Sequence, residues 1–223
     1  MLKFIRNYIL DTLFPRHCFG CGAEKETLCA SCIKELAPAP LDGAAGETRA
    51  YAPFSYRHPA LKKALWALKF KGDKEVARVC AALLYDSLIP LLEDYALYRG
   101  VMRPLLVPVP ISRRRLWERG YNQAELIARE LARIDNERSV ELAVGMLKKI
   151  KNVPPQTSLR EKTARLKNIE GCFDVPPTEA ARLRGRDVVV LDDIYTTGAT
   201  FGEAKRVLKA AGARTVICVA VAH

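Results

Sequence analysis

With 223 residues, 49% of them hydrophobic and 27% charged, the chain has the apolar mass to bury a core and does not have the composition of a disordered protein. Its 36 Lys and Arg against 25 Asp and Glu leave a formal net charge of +11, which suits anionic partners such as polyphosphate ligands or nucleic acid. No apolar run approaches the roughly 18 residues that a membrane-spanning helix needs.

In Met1–Phe14, Leu2, Ile5, Ile9 and Leu13 fall on one helical face. The scattered charges Lys3, Arg6 and Asp11 and the lack of a small-residue cleavage site read as an amphipathic docking helix rather than a secretory signal. A cytoplasmic protein is expected. Next come Cys18-Phe-Gly-Cys21 and Cys29-Ala-Ser-Cys32, two CxxC knuckles separated by Gly22–Leu28. Each knuckle can aim two thiolates at one ion, so Cys18, Cys21, Cys29 and Cys32 together form a tetrahedral zinc set. Gly20 and Gly22 permit the tight turns. A disulfide pair or a redox CxxC is the competing use, and His17 is a spare ligand. Four protein ligands leave no open position, so the expected role of the Zn²⁺ is structural. Cys80, Cys172 and Cys218 lie in apolar contexts and read as core.

Ala37–Glu47 is rich in Pro, Ala and Gly and reads as a linker. The expected organisation is therefore a zinc-binding part over 1–36, a linker over 37–47 and a main domain over 48–223. Arg49–Tyr56 predicts a strand. Pro59–Phe70 predicts a helix with Leu61, Leu65 and Leu68 inward, capped by Gly72, and Val76–Leu92 a longer one through Val79, Cys80, Leu83 and Leu84.

Leu105–Pro110 is a strand that runs into two prolines, which cannot donate to a ladder, and so releases a stiff loop over Ile111–Gln123. Arg113, Arg114, Arg115 and Arg119 in that loop make an anion site, or else a solvated basic loop. Ala124–Ile134 predicts a helix and Val140–Val144 a strand. Lys148–Asn168 carries seven basic residues and one acid, Glu161, around Pro154-Pro155. It reads as a segment that orders on binding, either a basic lid over a polyphosphate or a basic surface for nucleic acid. Gly171–Val175 predicts a short strand and Arg214–Ala222 the last one.

The most informative stretch is Val188 to Thr200. Val188–Leu191 is a buried strand, Asp192-Asp193 follows at once, and Thr196-Thr197-Gly198-Ala199-Thr200 leads into a helix bearing Ala204, Val207, Leu208 and Ala211 on one face. Backbone N–H groups at a helix start, with Gly198 allowing close approach and threonine hydroxyls adding donors, seat a phosphate. Two carboxylates beside a phosphate would repel it, but they fit a ligand that also offers hydroxyls or a bridging Mg²⁺. A sugar phosphate meets both demands. An Asp N-cap on an ordinary strand-to-helix turn is the plainer alternative.

This loop resembles the phosphoribosyl pyrophosphate (PRPP) motif of type I phosphoribosyltransferases. Together with the cysteine knuckles, Leu68-Lys69-Phe70-Lys71-Gly72, Pro108-Val-Pro110, Arg115, Arg119-Gly120-Tyr121-Asn122-Gln123-Ala124, Gln156, Leu159, Arg165 and Asn168, it makes nearly the whole chain resemble the ComF family of competence-associated proteins. The resemblance implies an α/β type I phosphoribosyltransferase fold, a mainly parallel sheet flanked by helices, with a small N-terminal zinc-binding domain in place of the family's variable hood. It implies that Asp192 and Asp193 hold the ribose hydroxyls and that Thr196, Thr197, Gly198, Ala199 and Thr200 hold the 5′-phosphate. By the same likeness Pro108, Val109, Arg113 and Arg114 form the pyrophosphate loop, and Arg160, Lys162 and Arg165 reach in from the basic segment. Two roles remain open. One is a phosphoribosyltransferase that uses PRPP with Mg²⁺ and an unnamed acceptor, in DNA uptake during transformation. The other is a non-catalytic PRPP sensor or single-stranded-DNA adaptor, for which Trp117 and Tyr121 among the arginines would be stacking platforms.

Overall fold

The computed structural model describes residues 16–38, 50–151 and 169–223. The expected docking helix, most of the expected linker, and Arg160, Lys162 and Arg165 lie outside these residues.

A short helix α1 (Ala30–Lys34) carries the second cysteine knuckle. Helix α2 (Pro59–Lys71) starts with proline at its first turn, where the missing N–H costs nothing, and stops at Gly72, whose φ of 64° suits only glycine at low strain. Leu61, Leu65 and Leu68 are fully buried, as their spacing requires. Helix α3 (Lys74–Arg99) is capped by Asp73, whose carboxylate accepts from the Glu75 and Val76 N–H groups at 3.0 and 3.4 Å. It runs about two turns past the expected end at Leu92, because the stop signal is Gly100 in the left-handed region.

The sheet follows from β1 (Leu105–Pro108), β2 (Glu141–Leu142), β5 (Asp187–Ile194) and β6 (Thr215–Ala222). All pairs are parallel and the order is β2-β1-β5-β6. Leu105 to Pro108 lie opposite Val188 to Leu191, and Asp187 to Asp192 lie opposite Thr215 to Ala220. Helices cover both faces, which is why the strands read as unbroken apolar runs. Val189, Leu191 and Val219 pack against α2, α3 and helix α5 (Gln123–Asp135) through Leu61, Leu84 and Ile127. Val188 and Val190 pack on the other face with Phe173, Phe201 and Leu208. The parallel sheet flanked by helices is the architecture expected from the sequence.

Three local expectations need correction. Arg49–Tyr56 gives no continuous strand among its described residues: Tyr51 and Phe54 make isolated parallel bridges to Val219 and Ala222. Pro53 lies between them and has no N–H for a ladder. The arginine-rich stretch is not all loop. Ser112 accepts from the Arg115 N–H at 3.3 Å and opens helix α4 (Arg113–Arg119), which Gly120 ends at φ 77°. Lastly, the acidic pair belongs to β5 itself, with Asp192 opposite Ala220. The start of the basic segment is also ordered: β3 (Lys148–Lys149) pairs antiparallel with β4 (Phe173–Asp174). Helix α6 (Pro177–Leu183) leads to β5, and helix α7 (Ala199–Ala210) joins β5 to β6.

The amino end of β5 is closed by Asp187, which is 3% exposed and accepts from Arg214 Nε at 2.9 Å, with a second bond from the same guanidinium to its other oxygen. The carboxyl ends of β1, β5 and β6 converge on one edge, where ligands bind in sheets of this kind. Cys18, Leu28, Cys32 and Leu36 join the same apolar cluster as Ala60 and Leu61, so the cysteine segment is packed onto the main body. Among the described residues no helix is long and apolar enough to cross a membrane.

Candidate functional site

Strand alternation aims the acidic pair in two directions. Asp193 shares parity with Val189 and Leu191, on the α3 side, where burial and the Asp193 charge push the Cys80 thiol up to about 12. Asp192 shares parity with Val188 and Val190. The two are locked together by their backbone: the Asp193 N–H donates to Asp192 Oδ1 at 2.9 Å and the Ile194 N–H to Asp193 Oδ1 at 3.1 Å. Asp193 is only 5% exposed, and its Oδ2 is buried with no hydrogen-bond partner. Burial, reinforced by the Asp193 charge, holds the Asp192 carboxyl well above the usual carboxylate range, against a weaker opposing pull from Lys69. Two adjacent acids, one with an orphaned oxygen, are costly in the free protein and suit a ligand that donates hydroxyls.

Beyond the pair, the Tyr195 N–H donates to the Ala222 carbonyl at 2.8 Å, and the Tyr195 ring stacks on Phe201 at 6.0 Å between centroids. These contacts anchor the start of the turn and leave Thr196 exposed with Thr197 and Thr200 half-buried. Gly198 takes φ 78° and begins α7, and no side chain caps that helix. Its first N–H groups therefore point to where a phosphate would sit, directly after the acids.

The neighbouring strand supplies the second wall. Pro108 lies opposite Leu191, and the Val109 N–H reaches the Leu191 carbonyl at 2.8 Å. Asn122 then ties the wall to α5: its amide donates to the Val109 carbonyl at 3.0 Å while its oxygen accepts from the Ala124 N–H at 3.1 Å. Tyr121 donates its hydroxyl to the Lys69 carbonyl at 3.1 Å, and a Cβ on Gly72 would come within 2.6 Å of its ring. The Leu68–Gly72 and Arg119–Ala124 motifs are thus one joint, holding α2 against the start of α5. Tyr121 serves that joint by packing.

The arginines of α4 separate because successive residues turn about 100° around a helix. Arg114 pairs with Glu118 at 2.7 Å, and Arg119 covers the Phe70 ring at 5.4 Å. Sequence reasoning had not singled out Lys149. Burial pulls its ammonium below the ordinary value; the Arg115 charge works in the same direction and the Asp192 charge in the other. Lys149 and Arg115 therefore share the electrostatic neighbourhood of Asp192, and only the β3–β4 pairing could have revealed it.

In the N-terminal segment the four thiol sulfurs of Cys18, Cys21, Cys29 and Cys32 lie within 4.8 Å of one another. Sγ–Sγ separations are 3.8 Å for Cys18–Cys29 and 3.6 Å for Cys21–Cys29. Tetrahedral zinc with Zn–S bonds of about 2.3 Å needs sulfurs roughly 3.8 Å apart, so the set fits the ion. The Cys29 N–H points at Cys18 Sγ at 3.4 Å, and Gly20 has no room for a side chain, since a Cβ there would lie 2.5 Å from Cys32 Sγ.

Comparison with known proteins agrees with this geometry. Residues 118–223 match the phosphoribosyl transferase domain family and residues 9–44 the double zinc ribbon domain family. The fold and site thus define a type I phosphoribosyltransferase-fold protein with an N-terminal zinc ribbon. The chain is 27% identical to competence protein F of Haemophilus influenzae, over 90% of its own length and 92% of that protein. It is 32% identical to competence protein ComFC of Bacillus subtilis over 66% of its length, but covers only 53% of that relative. Against the DNA utilization protein YhgH of Escherichia coli K12 the figures are 31%, 71% and 65%. Over most of its length the chain is thus similar to the ComF-type competence and DNA-utilization proteins. Among solved structures it resembles the Bacillus subtilis glutamine PRPP amidotransferase at 18% identity, over 65% of this chain and 26% of that one, with a TM-score of 0.37, too loose a likeness to carry weight.

Proposed function

We propose that the chain binds PRPP at the carboxyl edge of its sheet and transfers the phosphoribosyl group to an acceptor, in the handling of DNA taken up during transformation. The observation that carries the reading is the buried, partnerless Oδ2 of Asp193 beside the protonation-prone Asp192, directly before the uncapped start of α7. Asp192 and Asp193 accept the ribose hydroxyls. Thr196, Thr197 and Thr200, with the N–H groups after Gly198, hold the 5′-phosphate. Pro108, Val109 and Arg113 meet the pyrophosphate, and Arg114 joins them by exchanging its Glu118 partner for the ligand. Arg160, Lys162 and Arg165, outside the described residues, are the basic-segment candidates for the same charge. Asp192, the more exposed of the two acids, would hold a Mg²⁺ bound with the diphosphate, and that ion would favour the ionised form of its carboxyl and offset part of the diphosphate charge.

In the reaction the bond from C1 to the pyrophosphate oxygen breaks and a bond from C1 to the acceptor nucleophile forms, with pyrophosphate leaving and the acceptor losing a proton. The oxocarbenium character at C1 asks the protein mainly to position groups and screen charge. Calorimetric titration of PRPP with Mg²⁺ into the wild type and into Asp192→Asn/Asp193→Asn tests the site. Binding by the wild type, weakened at least about a hundredfold in the variant, is expected from losing two hydrogen bonds to charged groups. A wild type that does not bind overturns the proposal. Binding without pyrophosphate release in the presence of nucleobases, nucleosides and oligonucleotides would point to the sensor instead.

A further inference from the structure

Helix α2 ends in an unusual surface. Its apolar face is used up, with Leu61, Leu65 and Leu68 fully buried, yet Trp66 and Phe70 stand 52% and 53% exposed. The two rings lie one turn apart, 5.1 Å between centroids and inclined at 41°. Cations surround them: Lys71 Nζ is 5.8 Å from the Trp66 ring, Lys69 Nζ 5.7 Å from Phe70, and Arg119 of α4 5.4 Å from Phe70. On the same α4, Trp117 is 88% exposed. Helix α2 carries four lysines and no acid, and the one acid of α4, Glu118, is paired with Arg114.

We infer that Trp66, Phe70, Lys69, Lys71 and Arg119 form a binding surface for single-stranded nucleic acid, with unstacked bases laid on the two rings and phosphates met by the three cations. Exposed aromatic faces interleaved with positive charge are what a flexible polyanion with free bases requires. A duplex keeps its bases stacked and has no use for the rings. A lipid surface would need an apolar helix face to insert, and that face of α2 is already buried in the core. The surface corrects the expected platform: Tyr121 is consumed by its contacts with Gly72 and Lys69, and Trp66 and Phe70 take its place. It does not depend on PRPP being bound at the acidic pair.

Fluorescence anisotropy with a labelled 20-nucleotide oligo-dT tests the surface. Three phosphate contacts predict a salt slope near −2, hence a roughly twenty-fold loss of affinity from 50 to 200 mM salt. Trp66→Ala/Phe70→Ala should weaken binding about tenfold or more without changing that slope, while Arg119→Ala should flatten the slope by about 0.7. PRPP binding by the Trp66→Ala/Phe70→Ala variant, measured by calorimetry, serves as the folding control and separates this proposal from the one above. No binding of oligo-dT by the wild type, or equal binding by wild type and double-aromatic variant, overturns the inference. So does capture by anionic vesicles that needs the two rings while oligo-dT is ignored.

Discussion

Strand β5 carries aspartates at both ends, and the two ends have opposite fates. At its start, Asp187 is buried and met by a bidentate guanidinium. Burial alone would raise its carboxyl, but the bonds from Arg214, Thr215 and the Met102 backbone together outweigh this and hold it below the ordinary range. At its end, Asp193 is as deeply buried, yet one oxygen has no partner, and burial lifts Asp192 above the ordinary range. The same residue type in the same strand is thus satisfied by the fold at one edge and left with an unmet oxygen at the other. A buried acid with its bonds met serves stability; an unmet oxygen beside an uncapped helix start is what the proposed ligand would satisfy.

The sharpest way to break the comparison is at the unmet end, where Asp192→Asn/Asp193→Asn should weaken PRPP binding at least about a hundredfold while the protein stays folded. A variant that unfolds would make these acids structural after all. The four thiols are a second cluster of like groups that a cation must reconcile, and Cys21→Ser or a strong chelator should remove one Zn²⁺ per chain and unfold the 16–36 segment. Metal analysis of the purified protein finding no zinc would remove that parallel. At the satisfied end, Arg214→Ala leaves Asp187 charged with only Thr215 and the Met102 backbone as partners, which costs about 2–3 kcal/mol and lowers the melting temperature by roughly 5–10 °C, PRPP binding being retained at low temperature. An unchanged melting temperature would mean that solvent replaces Arg214.

The smallest effect carries a definite sign. A carboxyl whose folded pKa is raised favours the fold when protonated, so its contribution is present below its ordinary pKa and is lost as pH climbs toward the raised value. Asp192→Asn, which cannot ionise, should therefore melt slightly higher than the wild type at pH 7, and the gain should shrink toward pH 4. Thermal melts at the two pH values check this, and a gain that grows on acidification would contradict the raised carboxyl.

Periodicity in the sequence located the strands at Leu105 and Val188 and the helices from Pro59 and Ala124, and spacing located the cysteine set, because each is encoded by neighbours within a few residues. Where it went astray, the cause was local too. A serine cap turned the arginine loop into α4, and Pro53 broke the strand expected over Arg49–Tyr56. Within the candidate site, the loop from Asp192 to Thr200 was legible because strand, acids, turn and helix follow one another directly. The contribution of Lys149 was not, because it reaches Asp192 from a strand some forty residues away.

What the sequence determined by itself is therefore the chemistry carried in short runs: four thiols at knuckle spacing, two acids ahead of a Thr-Thr-Gly-Ala-Thr turn, and a strongly basic chain. What only the tertiary structure decided is which of these groups remain unmet. Asp187 and Asp193 look alike in the chain, as do Tyr121 and Phe70. Strand register and helix packing gave Asp187 an arginine and Tyr121 a carbonyl, and left Asp193 with a bare oxygen and Phe70 half in solvent. Hydrogen-bond satisfaction and burial are set by partners distant in sequence, so they become visible only once the chain has folded.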